Sequence, residues 1–147
     1  MTYKKLQDIL KVFLLGDNPP PKDSDLLIAT LEVAYIELAN DCTALKLLTG
    51  NRDDEIIRTG TGSSFVRMPR LPTVDTDELD IDNELVPAVA RIMAGYIAKE
   101  LKNKSYHKSE ADKIIRQYES KVRAYMLKRA NDGKYTTVVP TTDNGVL

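Results

Sequence analysis

Apolar positions recur at helical spacing in four stretches of the chain, separated by proline, glycine and acidic punctuation. In the first, Leu6, Ile9, Leu10, Phe13 and Leu14 fall three and four residues apart behind Thr2, a good N-cap. Gly16 stops this helix, and Asp17-Asn18-Pro19-Pro20-Pro21 follows as a stiff, non-helical spacer. Asp23 or Ser24 caps a long second helix with the stripe Leu27, Leu31, Ala34, Leu38, Cys42 and Leu45, widened by Ile28 and Tyr35. The pattern carries it to about Leu48, where Thr49-Gly50-Asn51 supplies the stop.

The period then changes. Glu55-Ile56-Ile57-Arg58-Thr59 and Phe65-Val66-Arg67-Met68 are β-capable runs on either side of Gly60-Thr61-Gly62-Ser63-Ser64, a hairpin or extended arm. A two-stranded ribbon alone is marginal in water, so this arm needs a partner surface, on this molecule or another. Pro69 and Pro72 stiffen the way out. Asp75, Asp77, Glu78, Asp80, Asp82 and Glu84 follow with no basic residue among them. They read as a solvated linker that ends as a helix cap, with the carboxylates gathered where the helix dipole favours negative charge.

The third helix runs through Leu85, Val89, Ile92, Met93, Tyr96, Ile97 and Leu101, with Pro87 in its first turn, where a missing N–H costs nothing. Ala90, Ala94, Gly95 and Ala98 make it thin, and close packing is the compensation expected for a glycine in mid-helix. Lys102 to Lys108 reads as a turn. Ser109-Glu110-Ala111-Asp112 opens a fourth helix in near capping-box form, with Ile115, Tyr118, Val122, Tyr125 and Met126 as its stripe and Asn131-Asp132-Gly133 as its end. Tyr135 to Val139 is a short β-capable patch in a polar tail that orders on binding. The expected fold is mostly α: a four-helix bundle with a β-hairpin or extended arm between helices 2 and 3 and an extended C-terminal tail. Residues 1–131 form the domain, with the arm at 51–74, and 132–147 the tail.

Composition changes this picture little. At 147 residues, 42% apolar and 29% charged, the chain suits one globular domain. A net charge of −1 gives no overall field toward nucleic acid or an anionic membrane. No apolar stretch approaches the roughly 18 residues that span a bilayer, and Asp8 and Lys11 interrupt any signal-like core, so neither membrane nor export is expected. Cys42 is the sole cysteine and reads as a small buried residue, a pattern that suits the cytoplasm.

Candidate chemistry is thin. His107, the single histidine, sits among lysines with no cysteine or carboxylate at metal-ligand spacing, and reads as a surface or capping residue. Gly60 to Ser64 lacks the lysine of a P-loop and the third glycine of a dinucleotide loop. Taken as a calcium loop from Asp75, the acidic run puts Leu79 at position five and Asp80 at position six, where an oxygen ligand and a glycine belong. No catalytic, cofactor or metal residue is therefore assigned. Two rivals to a binding role stay open. One is a small nucleic-acid-binding or regulatory module using Lys113, Arg116, Lys121, Arg123, Lys128 and Arg129 of the last helix. The other is an enzyme using Asp80, Asp82 and Glu84 with a divalent metal.

The order of parts, and above all Asp80-Ile81-Asp82-Asn83-Glu84-Leu85-Val86-Pro87-Ala88-Val89 continued by Ala90 to Ala98, resembles the head–tail adaptor (connector) proteins of tailed bacteriophages. The likeness covers Leu26 to Arg129 as architecture and only the Asp80–Ala98 segment as sequence. It implies a structural, non-enzymatic virion protein without cofactors. Such a protein forms a homo-oligomeric, dodecameric ring in the neck, assembled in the host cytoplasm. The ring stacks on the portal protein and offers its other face to a tail or nozzle protein, while DNA passes through the channel unbound. On that resemblance the arm would grip a neighbour through Ile56, Arg58, Phe65 and Arg67, and the tail through Tyr135, Val138 and Val139.

Overall fold

The computed structural model describes residues 1–42, 56–58, 65–67 and 69–131; at 56–58, 65–67, 126 and 129–131 it describes the backbone only. The chain is mostly helical, with four α-helices among the described residues: α1 (Tyr3–Phe13), α2 (Ser24–Asp41), α3 (Val86–Ile97) and α4 (Leu101–Asn131). Helix α3 is the hub against which α1, α2 and α4 all pack. Its Val86, Ala88, Val89, Ala90, Ile92, Met93 and Ala94 are buried, so nearly its whole circumference is core. Small side chains at Ala88, Ala90 and Ala94 leave room for three neighbours around one axis.

Local chemistry sets the boundaries. The Thr2 hydroxyl accepts from the Lys5 amide at 3.2 Å and Asp23 accepts from the Asp25 amide at 2.9 Å, so each caps its helix. Helix α1 ends at Phe13, and Gly16 takes φ +85°, a conformation that favours glycine. Pro87 stands in the first turn of α3 behind the 3-10 turn Asn83–Leu85. Cys42 is fully buried, in keeping with its reading as a packing residue. Helix α2 ends at Asp41 with Cys42 as its cap; the expected extension to Leu48 and the stop at Thr49-Gly50-Asn51 lie outside the described residues, as do Asp132 and Gly133 after α4.

Two expectations give way. Helix α3 stops at Ile97, not Leu101, and Lys102 to Lys108 is no turn but the opening of α4, which already begins at Leu101. The joint at Ala98-Lys99-Glu100 is closed by polar side chains from elsewhere in the fold. Asp17, carried just past α1, accepts from the Lys99 amide at 2.8 Å and the Asn103 side chain at 2.7 Å, which caps α4 from a distant part of the chain. Lys104 turns back and donates to the carbonyls of Gly95 and Tyr96 at 3.1 and 3.3 Å, where the last turn of α3 leaves acceptors unfilled. Polar residues read from sequence as a turn are here the fastenings of a tight helix–helix corner.

The acidic passage is likewise more than a solvated linker. Asp77 accepts from the Thr73 amide, Thr73 hydroxyl and Val74 amide at 2.7, 2.9 and 3.1 Å, and Asp80 accepts from the Arg70 amide at 3.0 Å. Backbone carbonyls of Asp77 and Asp75 take the free amides of Tyr3 and Lys4 at 2.9 and 3.0 Å, and the Leu79 amide reaches the Met1 carbonyl at 2.8 Å. Pro69, Pro72 and Leu79 of this strap are buried. The capping part of the reading fits Asp82, which accepts from the Glu84 amide at 3.0 Å ahead of α3.

Candidate interaction surface

The contact residues expected from the sequence divide by position. Ile56 and Arg58 lie on β1 (Ile56–Arg58), and Phe65 and Arg67 on β2 (Phe65–Arg67). These strands pair antiparallel, with Ile56 opposite Arg67, Ile57 opposite Val66 and Arg58 opposite Phe65. The four candidates thus occupy the two outer pairs of the register. Tyr135, Val138 and Val139, and the turn from Gly60 to Ser64, lie outside the described residues.

His107 is buried, not a surface residue. Its Nδ1 lies 3.0 Å from a guanidinium nitrogen of Arg91, whose own plane sits 3.8 Å over the Phe13 ring. Arginine only donates, so Nδ1 accepts and the imidazole proton is on Nε2. Burial, and then the Arg91 charge, push the His107 pKa below its usual value, against a smaller opposing pull from Asp17. This histidine joins α1, α3 and α4, and its one lone pair is already in use.

The carboxylates of the strap do not converge. Asp82 accepts from the Tyr118 hydroxyl at 3.1 Å, Glu84 pairs with Lys121 at 2.6 Å, and Asp75 accepts from Gln7 at 2.9 Å. Among the described residues no three His, Cys, Asp or Glu side chains are grouped so as to hold a metal ion. Two grooves flank the α2–α4 boundary. The first, of about 250 Å³, is lined by Glu37, Arg91, Tyr96, Lys104 and Lys108 among others, and the Tyr96 hydroxyl donates to Glu37 at 2.9 Å across it. The second, of about 300 Å³, sets Asp41, Asp112 and Glu119 beside Lys108 and Arg116. Desolvation, and then Glu37, raise the Asp41 pKa.

The most informative surface went unread in the sequence. Helix α2 buries Leu27, Leu31, Ala34, Tyr35, Leu38 and Ala39 on one side. Its opposite side exposes Leu26, Ala29, Val33 and Ile36, spaced three, four and three residues apart. This is a second apolar seam, centred where a surface helix ordinarily carries charge. The signal was in the chain: placing residues 26–42 at 100° intervals leaves Asn40 as the only polar residue near the middle of the outer arc.

Compared with models of known protein families, with curated proteins and with solved structures, the chain matches none.

Proposed function

We propose that this chain is a structural component of a tailed-phage virion, a head–tail adaptor forming a homo-oligomeric ring between the portal and the tail or nozzle. The observation that carries the proposal is the outer seam of α2, where Leu26, Val33 and Ile36 remain 55%, 42% and 49% exposed. A helix apolar on both sides calls for a second layer of protein. A ring of like subunits supplies one to every copy. The resemblance of Asp80 to Ala98 to the adaptor family points the same way, and that segment contains the hub helix of this fold.

On this reading the helices form a four-helix bundle that serves as a frame, and the segment from 51 to 74 is an arm. Its paired residues Ile56, Arg58, Phe65 and Arg67 add to a neighbouring chain, as strand addition would allow. Tyr135, Val138 and Val139 engage the portal or an adjacent subunit. The ring is dodecameric, sits in the virion neck after assembly in the host cytoplasm, and lets DNA through without specific binding. No catalytic step and no cofactor belong to this role. Negative-stain images of the purified protein, alone and with its portal, test it; rings are expected, and their absence in both samples counts against it.

A second reading, a nucleic-acid-binding or regulatory module, draws on the exposed Arg123 and Lys128 of α4. It is weakened by the pairing of Lys113 with Glu110 at 2.9 Å and of Lys121 with Glu84, and by the carboxylates around Arg116. Strong, salt-sensitive retention on heparin would favour it, because phosphate contacts release counterions. The adaptor reading expects weak retention.

A further inference from the structure

We infer that His107 is an acid-sensitive latch: when its ring takes up a proton, the first two turns of α4 come off α1 and α3 and fray. The inference is independent of the ring reading above and concerns a movement within one subunit.

The opening of α4 is held differently from the rest of the helix. From Leu101 to Glu110 the one buried side chain is His107. Beyond it Ala111, Ile115, Tyr118 and Val122 sit in the apolar core at three- and four-residue spacing. Residues 101–108 thus rest on polar fastenings at Asn103, Lys104 and His107, with no buried apolar side chain of their own. A helix end tied in this way opens locally more easily than the whole domain unfolds. Among the three, the imidazole is the group whose class titrates near neutrality.

The closed corner has no place for an imidazolium. Protonation puts a hydrogen on Nδ1, which faces the Arg91 guanidinium at 3.0 Å, donor against donor and cation against cation. Arg91 is itself stacked 3.8 Å over Phe13, so α1 backs it. Asp17 is the acid whose charge reaches the ring, yet both its oxygens already accept, from the Lys99 and Asn18 amides and the Asn103 side chain. Glu110 pairs with Lys113 at 2.9 Å, and Glu37 on α2 accepts from the Tyr96 hydroxyl. Lys104 and Lys108 on α4 add positive charge, while Lys99, Glu100 and Lys102 at the joint are exposed. From α1 the ring meets Phe13; Lys11 lines a separate groove with Tyr3 and Gln7. Release uncovers Phe13 and the Gly95 face of α3, where a Cβ would lie 3.9 Å from His107 Cβ.

Hydrogen exchange of the full chain at pH 7.5 and 5.5, corrected for the chemical rate at each pH, tests this. Uptake of one proton by the open form should lower the protection of amides 103–108 about tenfold over that interval. Their protection should also stay at least about tenfold below that of hub amides 90–94 at both pH values, the mark of local opening. In His107→Gln, neutral at both pH values, the fall at 103–108 should vanish. Arg91→Gln removes the opposing charge and should shrink the fall; it decides the matter if His107→Gln does not fold. Constant protection at 103–108 in wild type, or an undiminished fall in the folded variant, overturns the inference. So does equal protection at 103–108 and 90–94, which would mean that the corner opens only when the whole domain unfolds.

Discussion

Arg91 and His107 are joined across the α3–α4 contact by a 3.0 Å hydrogen bond in which the guanidinium can only donate. The buried imidazole is thereby held neutral, with its proton on the far nitrogen. Its pKa lies below the usual 6.5 because of burial first and the Arg91 charge second.

As pH falls through about 6.5, the unfolded chain takes up the histidine proton while the folded chain resists it, so stability drops with acidification below that point. It stops dropping from this source once the folded His107 is itself protonated. Urea unfolding of wild type between pH 7.5 and 5 should show the decline, and His107→Gln should flatten it. An unchanged slope in the variant would rule out His107 as its source.

Asp17 governs a lower window. The Asn103 side chain, then the Lys99 and Asn18 amides, hold its carboxyl at about 2. Its contribution is full above the ordinary carboxylate value and is lost as pH falls from about 4 toward 2. Asp17→Ala should lower Tm at pH 7, and Asp17→Glu should not restore it, since the longer side chain cannot meet the same donors. The gap between wild type and Asp17→Ala should narrow at pH 2.5, as measured by thermal unfolding.

The tyrosines split by partner. The Tyr35 hydroxyl is buried without a hydrogen-bond partner among the described residues, whereas the Tyr118 hydroxyl donates to Asp82 at 3.1 Å. Removing an unsatisfied polar group is neutral or favourable and removing a satisfied one costs about 1 kcal/mol. Tyr35→Phe should therefore leave stability unchanged or raise it by up to about 1 kcal/mol. Tyr118→Phe should lower it by about that amount. The reverse order in chemical denaturation would contradict these assignments.

Gly95 stands where α3 meets α4. A Cβ there would lie 3.7 Å from the Lys104 carbonyl and 3.9 Å from His107 Cβ, ordinary contact distances. Gly95→Ala should thus stabilise by up to about 1 kcal/mol through helix propensity. Gly95→Leu should destabilise by about 1–3 kcal/mol, because the added atoms have to displace α4. Differential scanning calorimetry of the two variants checks both signs.

Much of the frame was legible because it follows apolar spacing and standard caps. Thr2, Asp23 and Pro87 mark helix starts in the sequence and do so in the structure. The α3–α4 corner was not legible, for a physical reason. Asn103, Lys104 and His107 face partners rather than water, and they do so by hydrogen bonds to Asp17, to helix carbonyls and to Arg91. A polar residue facing inward looks in sequence like a polar residue in a turn. The outer seam of α2 was hidden differently, since Leu26, Val33 and Ile36 blend with the core stripe until burial separates them.

The strap that fastens α1 has a consequence for the time course of synthesis. The amides of Tyr3 and Lys4 find their acceptors at Asp77 and Asp75, and Leu6 and Leu10 are buried against a core whose hub is α3. While a ribosome is still translating the first half, α1 has neither its clasp nor its seat. The amino end must wait for sequence-distant partners, which makes its docking a late event and leaves the nascent chain exposed to aggregation until α3 emerges.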